Sequence, residues 1–395
     1  MGPLRPLPHP DRSDPTTAPP PHDPPRDLIK RPHDPIQSMT VGMDLDALAK
    51  KATGHDTWAV SRLISLFEDQ RPGAARGRIA ALRAVDTACA ATGRRAGRVL
   101  GITGTPGSGK STLLARAATQ LLARDEDLSV AIVAVDPSSE VSGGALLGDR
   151  TRMHLPRTNR VFFRSQASAN DLGGLGPSTY QVVTLLQRLF DLVLVETVGI
   201  GQSEADVRHL ADRVYLVLQP LGGDEVQFLK AGIIEHPDVF VLNKSDQPAA
   251  TTMYHQLKGS LWLARPFEDE QPPVLRVSAL TGTGMDDLLD DMTTPPDRGA
   301  PSVPAEAPDA AADLAETAAG GAPSNDSAAY FFRRWVAEEW GRHGERFVER
   351  ALGGFDEHVR ACGGYDAATL DMEARAGRAA DDNDAPLSLS PAWAT

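Results

Sequence analysis

Gly104-Thr-Pro-Gly-Ser-Gly-Lys-Ser111 decides the fold of this chain, because it has the glycine spacing and terminal Lys-Ser of a phosphate-binding loop. It follows a short apolar strand candidate, Val99–Ile102, and precedes a segment with helical spacing, Leu113–Leu122. A loop between a strand and a helix N-terminus directs backbone N–H groups and the helix dipole at phosphate oxygens. The stretch therefore predicts a site for the phosphates of a nucleotide.

A second motif, Asn243-Lys-Ser-Asp246, comes directly after the apolar run Val239–Leu242. Guanine presents an N1–H and a 2-amino group side by side, and the carboxylate of Asp246 can accept from both. Adenine lacks this pair of donors, so an adenine nucleotide would leave the buried side of the acid unpaired. Together the two motifs predict a GTP-binding protein.

Apolar runs alternate with amphipathic segments through the middle of the chain. The strand candidates are Val99–Ile102, Ser129–Val135, Val161–Arg164, Asp191–Glu196, Arg213–Gln219, Val239–Leu242 and Val274–Ser278. Nearly continuous apolar runs are typical of buried parallel strands. We predict an α/β fold of the P-loop NTPase type, with a doubly wound, mainly parallel sheet and ligands at the carboxyl ends of its strands.

Composition divides the rest of the chain into helical and loosely structured parts. The predicted regions are a disordered proline-rich tail (1–38), an N-terminal helical region (39–96), the nucleotide-binding domain (97–293), an Ala/Pro-rich linker (294–328), a C-terminal helical arm (329–378) and a disordered tail (379–395). Trp335 and Trp340 in the arm fit a dimer interface and a simple core equally well.

Bulk properties exclude several classes of protein. The net charge of −13 argues against a broad nucleic-acid or anionic-membrane surface. Cys89 and Cys362 are the only cysteines and have no metal-ligand spacing, which argues against disulfides and favours a reducing, cytoplasmic location. No apolar run approaches the roughly 20 residues that span a bilayer.

Two carboxylates fall at predicted strand ends, on the edge of the sheet where the phosphate loop lies. Asp136 ends one strand and Glu196 ends another. A Mg²⁺-nucleotide site needs carboxylates there to hold the metal and its water shell. We therefore predict a Mg²⁺ site, with Ser111 as a hydroxyl ligand and Lys110 on the β- and γ-phosphates.

Four further stretches carry a resemblance to a known family. They are Asp136-Pro-Ser-Ser-Glu-Val-Ser-Gly-Gly144, Leu147-Gly-Asp-Arg-Thr-Arg-Met153, Val195-Glu-Thr-Val-Gly-Ile-Gly-Gln-Ser-Glu204 and Gly223-Asp-Glu-Val-Gln-Phe-Leu-Lys-Ala-Gly232. Together they resemble the methylmalonyl-CoA mutase-associated GTPases, chaperones of adenosylcobalamin-dependent acyl-CoA mutases that were formerly described as lysine/arginine/ornithine transport kinases. The resemblance covers about residues 40–293 and is most specific in 100–284.

The resemblance implies roles that spacing alone does not. It implies a Mg²⁺ site formed by Ser111, Asp136, Asp149 and Glu196, and a third switch loop in which Asp224 and Lys230 couple hydrolysis to the mutase. Residues 165–176 keep only the Leu-Gly-Gly core of the family segment, so the first switch departs from the pattern. A C-terminal arm in this family implies a homodimer.

The predicted mechanism is slow GTP hydrolysis, accelerated when a mutase orders the switches. Lys110, Glu196 and Asp136 are the predicted catalytic residues, Gly199 would sense the γ-phosphate, and Gln202 is the nearest candidate for a water-positioning glutamine. The predicted nucleotide contacts are Gly104, Thr105, Pro106, Gly107, Ser108, Gly109, Lys110, Ser111, Thr112, Asn243, Lys244, Asp246, Ser278, Ala279 and Leu280.

Two alternatives stay open at this point. One is a metallochaperone GTPase, which shares the fold but needs a cluster of soft or imidazole ligands that the cysteines and scattered histidines do not supply in sequence. The other is a kinase or ATPase linked to amino-acid transport, against which Asn243–Asp246 argues.

Overall fold

A computed structural model of the chain describes residues 43–69, 71, 73–136, 153–167, 175–197, 203–220, 237–264, 271–294 and 325–381. Seven strands form one sheet: β1 (Arg98–Gly104), β2 (Val130–Asp136), β3 (Val161–Ala167), β4 (Leu192–Glu196), β5 (Arg213–Leu218), β6 (Val239–Leu242) and β7 (Val274–Arg276). Their order is β3-β2-β4-β1-β5-β6-β7, and every pairing is parallel. The predicted α/β P-loop fold is confirmed.

The helices within the described residues precede, connect and follow these strands. They are α1 (Leu45–Thr53), α2 (Thr57–Phe67), α3 (Ala74–Thr92), α4 (Lys110–Arg124), α5 (Pro177–Leu189), α6 (Ser203–Arg208), α7 (Ala250–Ala264), α8 (Met285–Thr293), α9 (Asn325–Ala351), α10 (Phe355–Cys362) and α11 (Tyr365–Asp381). None of these helices combines the length and the apolar character that crossing a bilayer requires.

Side chains of the central strands alternate between two apolar clusters, as the two-residue period of a strand requires. On β4, Val193 and Val195 pack into the cluster that contains α1–α3, α5 and α9–α11. Leu192 and Leu194 pack into the opposite cluster, which contains α4 and α8. Because both faces of the sheet are covered, its strands are buried and almost entirely apolar.

Six helices outside the α/β unit form what we call the helical layer: α1–α3 and α9–α11. Two of them begin at side-chain caps, since Asp44 accepts from the N–H of Ala47 at 2.9 Å and Asp56 accepts from that of Ala59 at 2.8 Å. Arg78 of α3 crosses to α11, where its Nε donates to Asp366 Oδ1 at 2.6 Å. The layer therefore joins segments that lie almost 300 residues apart in sequence.

The C-terminal part of the layer differs in two respects from the sequence prediction. Helix α9 begins at Asn325, inside the stretch predicted as a linker to residue 328, and α11 continues to Asp381, beyond the predicted arm. The alanines that suggested a linker are strong helix formers, and Ala328 and Ala329 are buried. Trp335 also packs into the core of this same chain.

Candidate nucleotide-binding site

The phosphate loop connects β1 to α4, as predicted. Gly104 has a φ of 142°, and a Cβ at this position would lie 2.0 Å from the carbonyl oxygen of Val217 on β5. Gly109, the residue before α4, has a φ of 86°, and a Cβ there would lie 2.7 Å from Asn243 Nδ2. Both conformation and space thus require glycine at the two ends of the loop.

Lys110 and Ser111 form the first turn of α4. The ammonium of Lys110 is buried and donates to the carbonyl oxygens of Gly104 at 2.8 Å and Thr105 at 3.1 Å. Ser111 Oγ donates to Glu196 Oε1 at 2.7 Å. Glu196 is the last residue of β4 and is paired with Ile102 on β1, so its carboxylate comes to the start of α4.

Asn243 joins the phosphate loop to the loop after β7. It is buried, its Nδ2 donates to Ser108 O at 2.8 Å, and its Oδ1 accepts from the N–H of Ala279 at 3.1 Å. Lys244 has a left-handed φ of 56°, and its Nζ donates to Gly107 O at 2.8 Å. Two adjacent side chains therefore hold the phosphate loop and the loop at Ala279 in a fixed relation.

Asp246 lies at the exposed rim of this arrangement. Its Oδ1 accepts from Ser278 Oγ at 2.5 Å, and the same hydroxyl accepts from the N–H of Thr281 at 3.1 Å. Ser278 is fully buried and thus provides a rigid support for the carboxylate. Leu280, which follows Ala279, is one of the few large apolar side chains left exposed among the described residues.

Arg116 is a residue of this site that sequence reasoning missed. Its Nη1 donates to the carbonyl oxygens of Ala279 and Leu280, both at 3.0 Å. Its Nη2 lies so close to Gly282 that a Cβ there would be 2.5 Å away. One arginine of α4 thus supports the whole loop, and it also lines a cavity of about 390 Å³ beside Ala279. Nothing in its helical spacing distinguishes it from a solvent-facing arginine.

Gln219 was also missed, although a signal for it was present. It directly follows β5, the same position that singled out Asp136 and Glu196, and its Oε1 accepts from Lys244 Nζ at 2.6 Å. The rule that ligand-side residues stand at carboxyl ends of parallel strands therefore applies to it as well.

Several predicted site residues fall on parts of the chain that are not described. Asp149, Gly199, Gln202, Asp224 and Lys230 lie outside the described residues. Asp136 ends β2, next in the sheet to β4, which ends at Glu196. The remaining predicted contacts, Pro106 of the phosphate loop and Thr112 of α4, lie in the described part of the site.

A buried acid, Asp206 of α6, links this side of the sheet to the helical layer. It accepts from the N–H of Leu175 at 2.9 Å, from Tyr330 Oη at 2.5 Å and from Arg334 Nη1 at 2.5 Å. Burial, with the neighbouring carboxylate, raises the pKa of Tyr330 to about 12. The ring of His209 stacks on that of Tyr330, with centroids 3.8 Å apart. Asp206 therefore anchors α9 beside the chain that enters α5.

Comparison with known proteins finds relatives by sequence and a solved structure that aligns with this chain. The chain is similar to a candidate GTPase of Pyrococcus horikoshii, at 39% identity over 249 residues, 62% of this chain and 75% of the relative. It is similar to the GTPase ArgK of Escherichia coli, at 43% identity over 195 residues, 48% of this chain and 58% of the relative. A crystal structure of an LAO/AO transport system kinase aligns over 80% of this chain and 90% of its own, with 24% identity and a TM-score of 0.49.

The family model described as methylmalonyl Co-A mutase-associated GTPase MeaB matches residues 60–296, which is more than half of the chain. The match begins in α2, contains every strand of the sheet and ends just after α8. It therefore includes the phosphate loop, Glu196, Asn243–Asp246 and the loop at Ala279. This chain belongs to the methylmalonyl-CoA mutase-associated GTPase family.

Proposed function

We propose that this chain hydrolyses GTP to GDP and phosphate, and that the cycle gates adenosylcobalamin loading and repair of an acyl-CoA mutase such as methylmalonyl-CoA mutase. The observation that carries the GTPase part is the pair Asn243 and Lys244, which bonds the phosphate loop to the neighbouring loop. Because the motif that recognises the base is hydrogen-bonded to the phosphate loop, we expect one rigid unit to bind both the base and the phosphates.

The catalytic work assigned to this chain is electrostatic. Lys110 and the backbone N–H groups of residues 107–111 would hold the β- and γ-phosphates, and charge stabilisation would lower the barrier for in-line attack by water. Lys110 Nζ bonds the carbonyl oxygens of Gly104 and Thr105, so its charge already lies at the phosphate loop. Gly199 remains the proposed γ-phosphate contact, and Gln202 remains the candidate for the glutamine that positions the attacking water.

The donor set at the start of α4 fits Mg²⁺. Ser111 supplies a hydroxyl and Glu196 a carboxylate, 2.7 Å apart, and Mg²⁺ prefers hard oxygen ligands of this kind. We propose that these two residues, with Asp136 and Asp149, hold the ion and its waters. When bound, Mg²⁺ would neutralise charge on the β- and γ-phosphates.

Base selection is assigned to Asp246. The carboxylate is fixed through Oδ1 by Ser278, so its orientation is set before a nucleotide arrives. Guanine would donate its N1–H and 2-amino group to this acid, and a backbone N–H of the loop after β7 would meet the guanine carbonyl. Adenine offers no matching donors, so we propose that ATP binds poorly.

Coupling to a mutase rests on the family's association with that enzyme. Asp224 and Lys230 are the proposed coupling residues. A homodimer and a cytoplasmic location remain predictions.

The test is GTP turnover by the full chain, alone and with an adenosylcobalamin-dependent acyl-CoA mutase from the same cell. We expect slow turnover alone, acceleration by the mutase, and little turnover of ATP. Unchanged turnover with the mutase would contradict the coupling but leave the GTPase standing, whereas equal turnover of ATP would favour the transport-ATPase alternative.

A change of base preference tests Asp246 more sharply than a loss of activity. Xanthine carries a carbonyl where guanine carries its 2-amino group, so Asp246→Asn, whose amide can donate, is expected to favour XTP over GTP. We expect GTP affinity to fall about 100-fold, since a charged hydrogen-bond pair contributes about 1.5–3 kcal/mol. Asp127→Asn, an exposed acid after α4, is the matched control.

A further inference from the structure

Three potential metal ligands of different chemistry meet where α10 packs on α11. His358 and Cys362 lie four residues apart on α10, and Asp371 lies on α11. His358 Nε2 is 3.6 Å from Asp371 Oδ2 and 3.8 Å from Cys362 Sγ. One ligand atom from each residue lies within 4.8 Å of the other two.

These separations are close to those of a tetrahedral zinc site. Bond lengths of about 2.0 Å to nitrogen and 2.3 Å to sulfur place ligand atoms about 3.3–3.8 Å apart. The expectation that neither cysteine belongs to a ligand cluster is therefore wrong for Cys362. The sequence did not reveal the cluster, because residues i and i+4 share a helix face only once the helix is in place, and Asp371 joins through tertiary packing.

The surroundings of His358 suit a metal ligand. His358 is only 5% exposed, and its ring centroid lies 5.6 Å from that of Phe332, so packing holds the ring in place. Cys362 is a partly buried free thiol, and a thiol loses its proton when it binds a metal.

Arg375 is the competing cation at this cluster. Its Nε lies 2.5 Å from Asp371 Oδ2, and 44% of its side chain is exposed. An exposed arginine four residues along the same helix holds a carboxylate only weakly, because solvent screens the pair. A divalent ion bound also by an imidazole and a thiolate would displace such a contact, or share the carboxylate through its second oxygen.

We propose that His358, Cys362 and Asp371 bind one Zn²⁺ ion, with water as the fourth ligand, and that the ion fastens α10 to α11. The thiol proton of Cys362 is released to solvent on binding. A thiolate with an imidazole selects Zn²⁺ over Mg²⁺, so this site is chemically separate from the oxygen site at Ser111 and Glu196. The proposal does not depend on GTP turnover or on a client.

The experiment is a titration of the full chain with Co²⁺, a spectroscopic substitute for Zn²⁺, in excess Mg²⁺ to occupy oxygen sites. We expect one equivalent of Co²⁺ to give a thiolate-to-cobalt charge-transfer band with strong tetrahedral d–d bands, and Zn²⁺ to abolish both. Only two cysteines can give the charge-transfer band, so ions held by histidines or carboxylates elsewhere do not imitate it.

Matched variants assign the signal to a residue. Cys362→Ser is expected to remove the charge-transfer band and His358→Gln to weaken binding at least tenfold. Cys89→Ser should leave the titration unchanged, because Cys89 does not belong to the cluster. It is buried in α3, and its Sγ donates to Arg188 O. A charge-transfer band that persists in Cys362→Ser, or none in the wild-type chain, would overturn the proposal.

A second measurement guards against a variant that folds poorly. Zn²⁺ should raise the unfolding midpoint of the wild-type chain and of Cys89→Ser but not of Asp371→Asn, which keeps the shape of the side chain. An equal rise in Asp371→Asn and the wild-type chain would contradict the assignment of the carboxylate.

Discussion

The nucleotide site and the helical layer are built by opposite means. The nucleotide site is made of short contiguous motifs, each at the carboxyl end of one strand, and its bonds join neighbouring loops. The layer is made of bonds between distant segments, such as Arg78 to Asp366 and Asp206 to Tyr330. A site that must cradle phosphate depends on backbone geometry, which few residue types allow, whereas a packed layer accepts many solutions.

The largest expected effect is the loss of GTP hydrolysis when the lysine of the phosphate loop is removed. Lys110→Ala should lower single-turnover GTP hydrolysis about 100- to 1,000-fold, equal to about 3–4 kcal/mol, because it removes a charge directed at the phosphates. The free energy of unfolding should change much less. Lys50→Ala, an exposed lysine of α1, is the control and should hydrolyse GTP normally. Near-normal turnover in Lys110→Ala would remove this residue from the mechanism.

The second-largest effect is a loss of stability where the helical layer is anchored, with the nucleotide site left intact. Asp206→Ala should lower the free energy of unfolding by about 3 kcal/mol, because Arg334 and the N–H of Leu175 lose a buried acceptor. Urea unfolding followed by fluorescence measures this change, since Trp335 and Trp340 lie on α9, the helix that Asp206 contacts. Asp127→Ala is the control, and equal stability of the two variants would show that Asp206 is not the anchor.

A smaller effect tests the contact by which Arg116 of α4 supports the loop at Ala279. Arg116→Met keeps the length of the side chain but removes its two bonds to Ala279 O and Leu280 O. We expect KM for GTP to rise about tenfold, or about 1.4 kcal/mol, with kcat little changed, because the loop is loosened while Lys110 stays in place. Arg83→Met, an exposed arginine of α3, serves for comparison. A fall in kcat alone would instead indicate a direct part in hydrolysis.

The same contrast explains what the sequence predicted and what it did not. Every strand was predicted, since near-continuous apolar runs bounded by turn residues are a local property of the chain. Asn243 and Asp246 were predicted because base recognition needs those types at that spacing. Arg116, Asp206 and the His358–Cys362–Asp371 cluster were not, because each depends on a partner that only the tertiary fold brings near.

The smallest expected effect concerns pH and the docking of α1 and α2 on the sheet. His55 Nε2 bonds Leu189 O at 2.9 Å and its ring stacks on Phe190, while burial, then Arg94, lowers its pKa. Because the unfolded chain then binds more protons than the folded one, the free energy of unfolding falls as the pH drops below the pKa of about 6.5 that a histidine has in the unfolded chain.

His55→Asn, which tolerates the left-handed φ of 60° at this position, should flatten that decline between pH 7.5 and 5.5. Urea unfolding at both values measures it, with exposed His343→Asn as the control. An unchanged slope in His55→Asn would mean that protonation of this ring does not oppose docking, and that the layer is held at this point by apolar contacts alone.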